Sequence, residues 1–201
     1  MALRARPKRV VRSTLALFLA IGFLVSVTAE SYAPFTDLPL MGSNLTTFSR
    51  FYRHIASKNG NMDEYYVRRL YDTYLLECRK EGVDPVVALS QMVHETNYLL
   101  FTGAVGATQY NYAGLGSTSP GTPGLDFGTM DVGVRAHVQH LKAYGSTDPL
   151  VGDLVDPRFS FVTRGSAPTV MALTGRWAVD PGYGPKLLAH AYRLIVPSAR
   201  P

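Results

Sequence analysis

Glu95 is the residue with the most chemistry open to it. It stands in LSQMVHETNYLLF, residues 89–101, an apolar stretch at helical spacing with a single carboxylate. On a wheel of about 100° per residue, Ala88, Leu89, Met92, Val93 and Thr96 fall to one side of Glu95. Ser90, His94, Asn97 and Tyr98 fall to the other, and Gln91 lies one turn before it. Glu95 therefore sits on the seam between a core face and a wet face, where the wall of a groove would stand. A carboxyl half-shielded there has its charged form disfavoured, so its pKa rises. A proton kept near neutral pH is what a general acid needs. A boundary glutamate paired with Arg or Lys would occupy the same place, so wheel position does not separate the two.

Other constellations are weaker. His94-Glu95 opens a zinc-protease pattern, but its second histidine should stand at position 98, which is Tyr98. His137 and His140 are spaced to share a helix face, yet no third ligand is evident and Val134, Val138 and Leu141 mark that face for packing. No metal and no cofactor is expected. Tyr98, Phe101, Tyr110, Tyr112, Trp177 and Tyr183 gather in sequence around Glu95 and its flanking loops. Aromatic faces suit sugar rings, and they equally suit a core.

The elements that must position these residues read as helices. Asn44 can cap a helix over about 45–57, ended by Asn59-Gly60, and a longer helix fits 62–81, stopped by Gly82. Asp84-Pro85 supplies an N-cap and a first-turn proline for the Glu95 helix, which the pattern carries to about residue 100. A Gly/Thr/Ser/Pro-rich loop with room for a small hairpin covers 102–128. Thr129 caps a helix over about 130–144, with Asp131 in its first turn where the macrodipole favours negative charge. Loop 145–165 precedes further helices near 166–175 and 184–195. No strand is convincing. The fold class is mainly α, with at most a minor sheet. Cys78 lies in an apolar helical pattern and reads as a buried thiol; one cysteine excludes an internal disulfide.

Five of the 20 basic residues, Arg4, Arg6, Lys8, Arg9 and Arg12, precede residue 13, which leaves 15 against 15 acidic residues in the remainder. The folded part therefore lacks the basic excess of a nucleic-acid binder. The basic run is followed by the uncharged STLALFLAIGFLVSVTA, residues 13–29. Residues 1–29 thus read as a signal peptide or an uncleaved signal anchor. Residues 30–43 read as a loose linker and 44–198 as the folded domain that carries Glu95. Either leader places that domain outside the cytoplasm, tethered to the inner membrane where the leader is uncleaved.

PVVALSQMVHET at 85–96, NYAGLG at 111–116, LDFGTMDVGVRAHVQHLKAYG at 125–145 and WAVDPGYGPKL at 177–187 together resemble the bacterial glucosaminidases of glycoside hydrolase family 73. The matching positions are Ala88, Gln91, Glu95 and Thr96, then Asn111, Tyr112 and Gly114, then Trp177, Asp180 and Tyr183. The resemblance implies a lysozyme-like α+β domain, acting as a monomer on peptidoglycan glycan strands. It implies cleavage of the β-1,4 bond after N-acetylglucosamine, with Glu95 as general acid and Tyr183 beside the scissile sugar. Gln91, Tyr98, Asn111, Tyr112, Gly114 and Trp177 would contact substrate. Family members often carry a second glutamate in a hairpin after the catalytic helix, but no acid lies between Glu95 and Asp126. Asp126, at the end of the loop, is the candidate second acid; Asp131 is explained by its helix start, and the substrate's own acetamido group is the alternative. Two carboxylates about 5–5.5 Å apart retain configuration and about 6.5–9.5 Å apart invert it. A glycan-binding domain without chemistry and a lytic transglycosylase are the other readings.

Overall fold

The computed structural model describes residues 37–117 and 122–195. Leader residues 1–29 lie outside them. Among the described residues five α-helices form the body: α1 Phe48–Ala56, α2 Glu64–Glu81, α3 Pro85–Glu95, α4 Met130–Gly145 and α5 Tyr183–Leu194. Among the described residues there is no extended strand, only isolated bridges, so the expected mainly helical class holds.

Helix α3 is the axis of the core. Every residue from Val86 to Val93 is buried, as expected of a helix surrounded by others rather than lying on a surface. Its start is set by Asp84, whose Oδ1 accepts the Val86 and Val87 amides at 2.9 and 3.2 Å, a side-chain cap on two orphan donors. Asn44 was expected to cap α1. It instead donates its amide and its side chain to Asp84 Oδ2 at 2.9 and 2.8 Å, and Thr47 takes the α1 cap. Gly82 ends α2 at φ 76°, where a residue with a Cβ is strained.

Two expected elements differ. Residues 37–41 are not loose: Leu38 and Leu40 are buried, and the Leu40 amide donates to the Pro168 carbonyl at 2.9 Å while Val170 returns a bond to Leu38 at 2.8 Å. That exchange uses the backbone groups a helix at 166–175 would need. Only a short 3₁₀ turn forms there, Met171–Leu173. The loop after α4 is tied down by buried polar groups. Glu81 accepts Lys142 Nζ at 2.9 Å and the amides of Val151 and Gly152 at 3.0 and 2.9 Å, so α2, α4 and the loop meet on one carboxylate. Cys78 is buried and unbridged.

Candidate active site

Helix α3 stops at the residue it has to present. Its pattern was expected to run to about residue 100, but Glu95 is its last residue. Thr96 Oγ1 bonds back to the Met92 carbonyl at 2.7 Å and accepts the Leu99 amide at 3.0 Å, which diverts the next turn. Asn97, Tyr98, Leu99 and Phe101 then take left-handed φ values of 46°, 58°, 61° and 49°. Each such residue costs about 1–2 kcal/mol. Burial of Leu99 and the bond from Asn59 Nδ2 to the Tyr98 carbonyl at 3.1 Å hold the turn in place. A carboxyl at a helix C-terminus also faces the negative end of the macrodipole, which disfavours its ionised form.

Glu95 opens on a cleft of about 580 Å³ whose walls come from the end of α3, the 113–117 loop, α4 and the segment 176–183. Tyr183, the first residue of α5, donates its hydroxyl to Glu95 Oε1 at 2.5 Å. Trp177 lies on the same cleft wall. The Tyr183 bond and the nearby Trp177 side chain favour the ionised form, yet burial outweighs them and pushes the Glu95 pKa up to about 7. Burial and the adjacent Glu95 charge push Tyr183 well above its ordinary value, so its hydroxyl keeps its proton and remains a donor.

The expected site residues divide by burial. Gly114 and Trp177 line the cleft with Glu95 and Tyr183. Gly114 sits at φ 64°, and a Cβ there would stand 3.6 Å from Glu95 Oε2. Gln91, Asn111 and Tyr112, expected to touch substrate, are fully buried, and they support the cleft from behind. Asn111 folds the 111–116 loop around its amide: Oδ1 accepts the Leu115 amide at 3.0 Å, and Nδ2 donates to the carbonyls of Leu115 and Leu125 at 2.8 and 3.0 Å. Tyr112 shares a 2.9 Å hydrogen bond with Tyr66. Tyr98 faces away from the cleft, its ring 5.2 Å from His54 and 5.5 Å from His190.

Asp126, expected as the second acid, is exposed and accepts the Gly128 amide at 2.9 Å. It borders a different groove, with Phe127, Leu154 and Pro157. Among the described residues that line the Glu95 cleft, the other carboxylate is Asp180. Its Oδ2 pairs with Lys186 Nζ at 2.5 Å and its Oδ1 accepts the Gly182 amide at 2.8 Å. The Lys186 bond leads in holding its carboxyl below the usual range. The cleft thus holds one carboxyl biased toward the acid and one biased toward the anion. Sequence reasoning passed over Asp180 as an acid, although it lies three residues before Tyr183.

A family model described as glucosaminidase, mannosyl-glycoprotein endo-beta-N-acetylglucosaminidase, matches residues 71–195. The chain belongs to the glucosaminidase family. An uncharacterized protein of Borreliella burgdorferi is 39% identical over 161 residues, 80% of this chain and 77% of that relative. No solved structure matches. Membership in the glucosaminidase family supports a glycoside hydrolase of the peptidoglycan-hydrolase kind and points to action outside the cytoplasm. Among the described residues no helix is long and apolar enough to cross a membrane.

Proposed function

We propose that this glucosaminidase is an endo-β-N-acetylglucosaminidase that hydrolyses the β-1,4 bond after N-acetylglucosamine in peptidoglycan glycan strands. The observation that carries the reading is the state of Glu95: shielded, unpaired by any cation among the described residues, bonded to Tyr183 and opening on a sugar-sized cleft. An Arg- or Lys-paired boundary glutamate would have the opposite bias.

In this mechanism Glu95 passes its proton to the glycosidic oxygen as the C1–O bond breaks. Water adds to C1, and the proton it loses restores Glu95. Asp180, held ionised by Lys186, supplies negative charge toward the developing cation at C1. Gly114 keeps the space beside Glu95 Oε2 open, and Trp177 offers an aromatic wall to a sugar ring. Residues 1–29 deliver the domain across the inner membrane.

The test is digestion of purified peptidoglycan by the full chain, with new ends identified by mass spectrometry. Reducing N-acetylglucosamine ends and none from Glu95→Gln are expected. Anhydro-muramic ends would make the protein a lytic transglycosylase. Glycan binding without any product would make it a non-catalytic module.

A further inference from the structure

Behind Glu95 runs a line of buried hydrogen bonds that the reaction above does not use. Tyr183 donates to Glu95 Oε1 at 2.5 Å. Gln91 Nε2 donates to Tyr183 Oη at 2.7 Å. Gln91 Oε1 lies 2.8 Å from His137 Nε2, and His137 Nδ1 lies 2.8 Å from Tyr74 Oη. The line crosses the core from α2 through α4 and α3 to α5, and Gln91, His137 and Tyr74 are all fully buried.

The chemistry of each link fixes its direction. An amide oxygen only accepts, so His137 Nε2 carries hydrogen and donates to Gln91. Burial drives the His137 pKa down to about 3, so the ring is neutral and its Nδ1 accepts from Tyr74. An amide nitrogen only donates, so Tyr183 Oη receives the Gln91 hydrogen and must direct its own elsewhere. Its other partner is Glu95. Every hydrogen in the line therefore points toward the carboxyl.

We propose that Gln91 and His137, with Tyr74 at the far end, are positioning residues that orient the acid's proton. With Oε1 occupied by the Tyr183 hydrogen, the transferable proton resides on Oε2, the oxygen beside Gly114 and the cleft. The inference rests on the general-acid reading of Glu95. Without a donor on Gln91 Oε1 the Gln91 amide is free to turn over. Its oxygen then takes the Tyr183 hydrogen, and Glu95 loses the bond that favours its ionised form. Reversing the line would also leave the Tyr74 hydroxyl hydrogen without a bonded acceptor in a dry site, a costly arrangement.

The other charged and titratable groups around Glu95 are His94 on α3, His140 and Tyr144 on α4, Arg158 and Arg176 at the cleft wall, and the Asp180–Lys186 pair.

The experiment compares His137→Leu with His137→Gln in the full chain. A glutamine amide reaches about as far as Nε2 and restores a donor to Gln91; leucine fills the space without one. Carbon-13 NMR of the glutamate carboxyls reads Glu95 directly. His137→Leu should raise its midpoint by about 0.5 pH unit or more and lower kcat about tenfold, with KM little changed. His137→Gln should return both toward wild type. Nitrogen-15 NMR of the unmutated protein, which needs no variant to fold, should show His137 as the neutral Nε2–H tautomer at pH 7. An Nδ1–H tautomer would overturn the proposal. So would a Glu95 midpoint that stays put in His137→Leu. A protein that shows the tautomer and the midpoint shift yet cleaves no glycan would keep the relay and sink the reaction.

Discussion

Replacing Glu95 with glutamine should make the protein more stable while abolishing its activity, and the gain should depend on pH in a fixed way. The unfolded chain ionises Glu95 near 4.5, whereas the folded chain holds it at about 7. Between those values the folded state binds more protons than the unfolded one, so this group's contribution to stability falls as pH rises. Below 4.5 the acid is neutral in both states and the penalty is absent; by pH 8 it is complete. At about 1.4 kcal/mol per pH unit, the full penalty is about 3 kcal/mol. Glutamine cannot ionise, and its amide oxygen can still accept the Tyr183 hydroxyl. The difference between variant and wild type should therefore grow from a pH-independent baseline near pH 4 to about 3 kcal/mol above it at pH 8. For a domain of this size that is roughly 6–12 °C in Tm. Urea unfolding of both proteins from pH 4 to 8 measures it, and all other titrating groups cancel in the difference. Parallel stability curves would refute the shielded-acid argument, because they would mean that Glu95 titrates alike folded and unfolded. The same ionisation should set the alkaline limb of the cleavage rate near pH 7.

Asp180→Asn should lower the cleavage rate at least about tenfold while Lys186 keeps a neutral partner; a wild-type rate would hand the second role to the substrate's acetamido group. Gly114→Ala should cost about 1–2 kcal/mol, because alanine at φ 64° is strained, and should impair cleavage by placing a methyl group in the space beside Glu95 Oε2 that a substrate would enter; urea unfolding and the rate read the two effects separately. Lys142→Met leaves the buried Glu81 carboxylate without its cation and should cost about 3–5 kcal/mol. That loss should appear in Tm without moving the pH profile of activity.

The sequence was most informative where structure is decided locally. Asp84 and Pro85 start α3, Thr129 starts α4 and Gly82 stops α2, each through a side chain or φ value that acts within a turn. The end of α3 was not legible in this way. Thr96 competes for backbone bonds there, and the left-handed turn that follows is stabilised by Asn59 from another element. The helix expected at 166–175 failed for the same kind of reason, since its backbone partners lie some 130 residues earlier in the 37–41 segment. Burial of polar residues was the hardest to read. Gln91 and Asn111 carry the chemistry of substrate ligands, and nothing in their neighbours distinguishes a polar group facing a cleft from one satisfied inside a core. A signal did exist for His137. It stands among Val134, Val138 and Leu141 on a packing face, and a histidine placed there must find a hydrogen-bonding partner; the nearby glutamine helix offered one.

The position of the acid follows from this arrangement. An enzyme that needs a protonated carboxyl near neutral pH must keep water away from it, and helix α3 is the driest element of the fold. Placing Glu95 at the last residue of that helix combines desolvation, an unfavourable dipole and an exit to the cleft. The cost is the roughly 3 kcal/mol penalty and the strained turn after it. Neither would persist unless the surrounding core over-determined the geometry. The Tyr74–His137–Gln91–Tyr183 line ties the helices α2, α4, α3 and α5 together around the acid. Loosening that frame should therefore damage catalysis through the ionisation of Glu95 before it unfolds the chain.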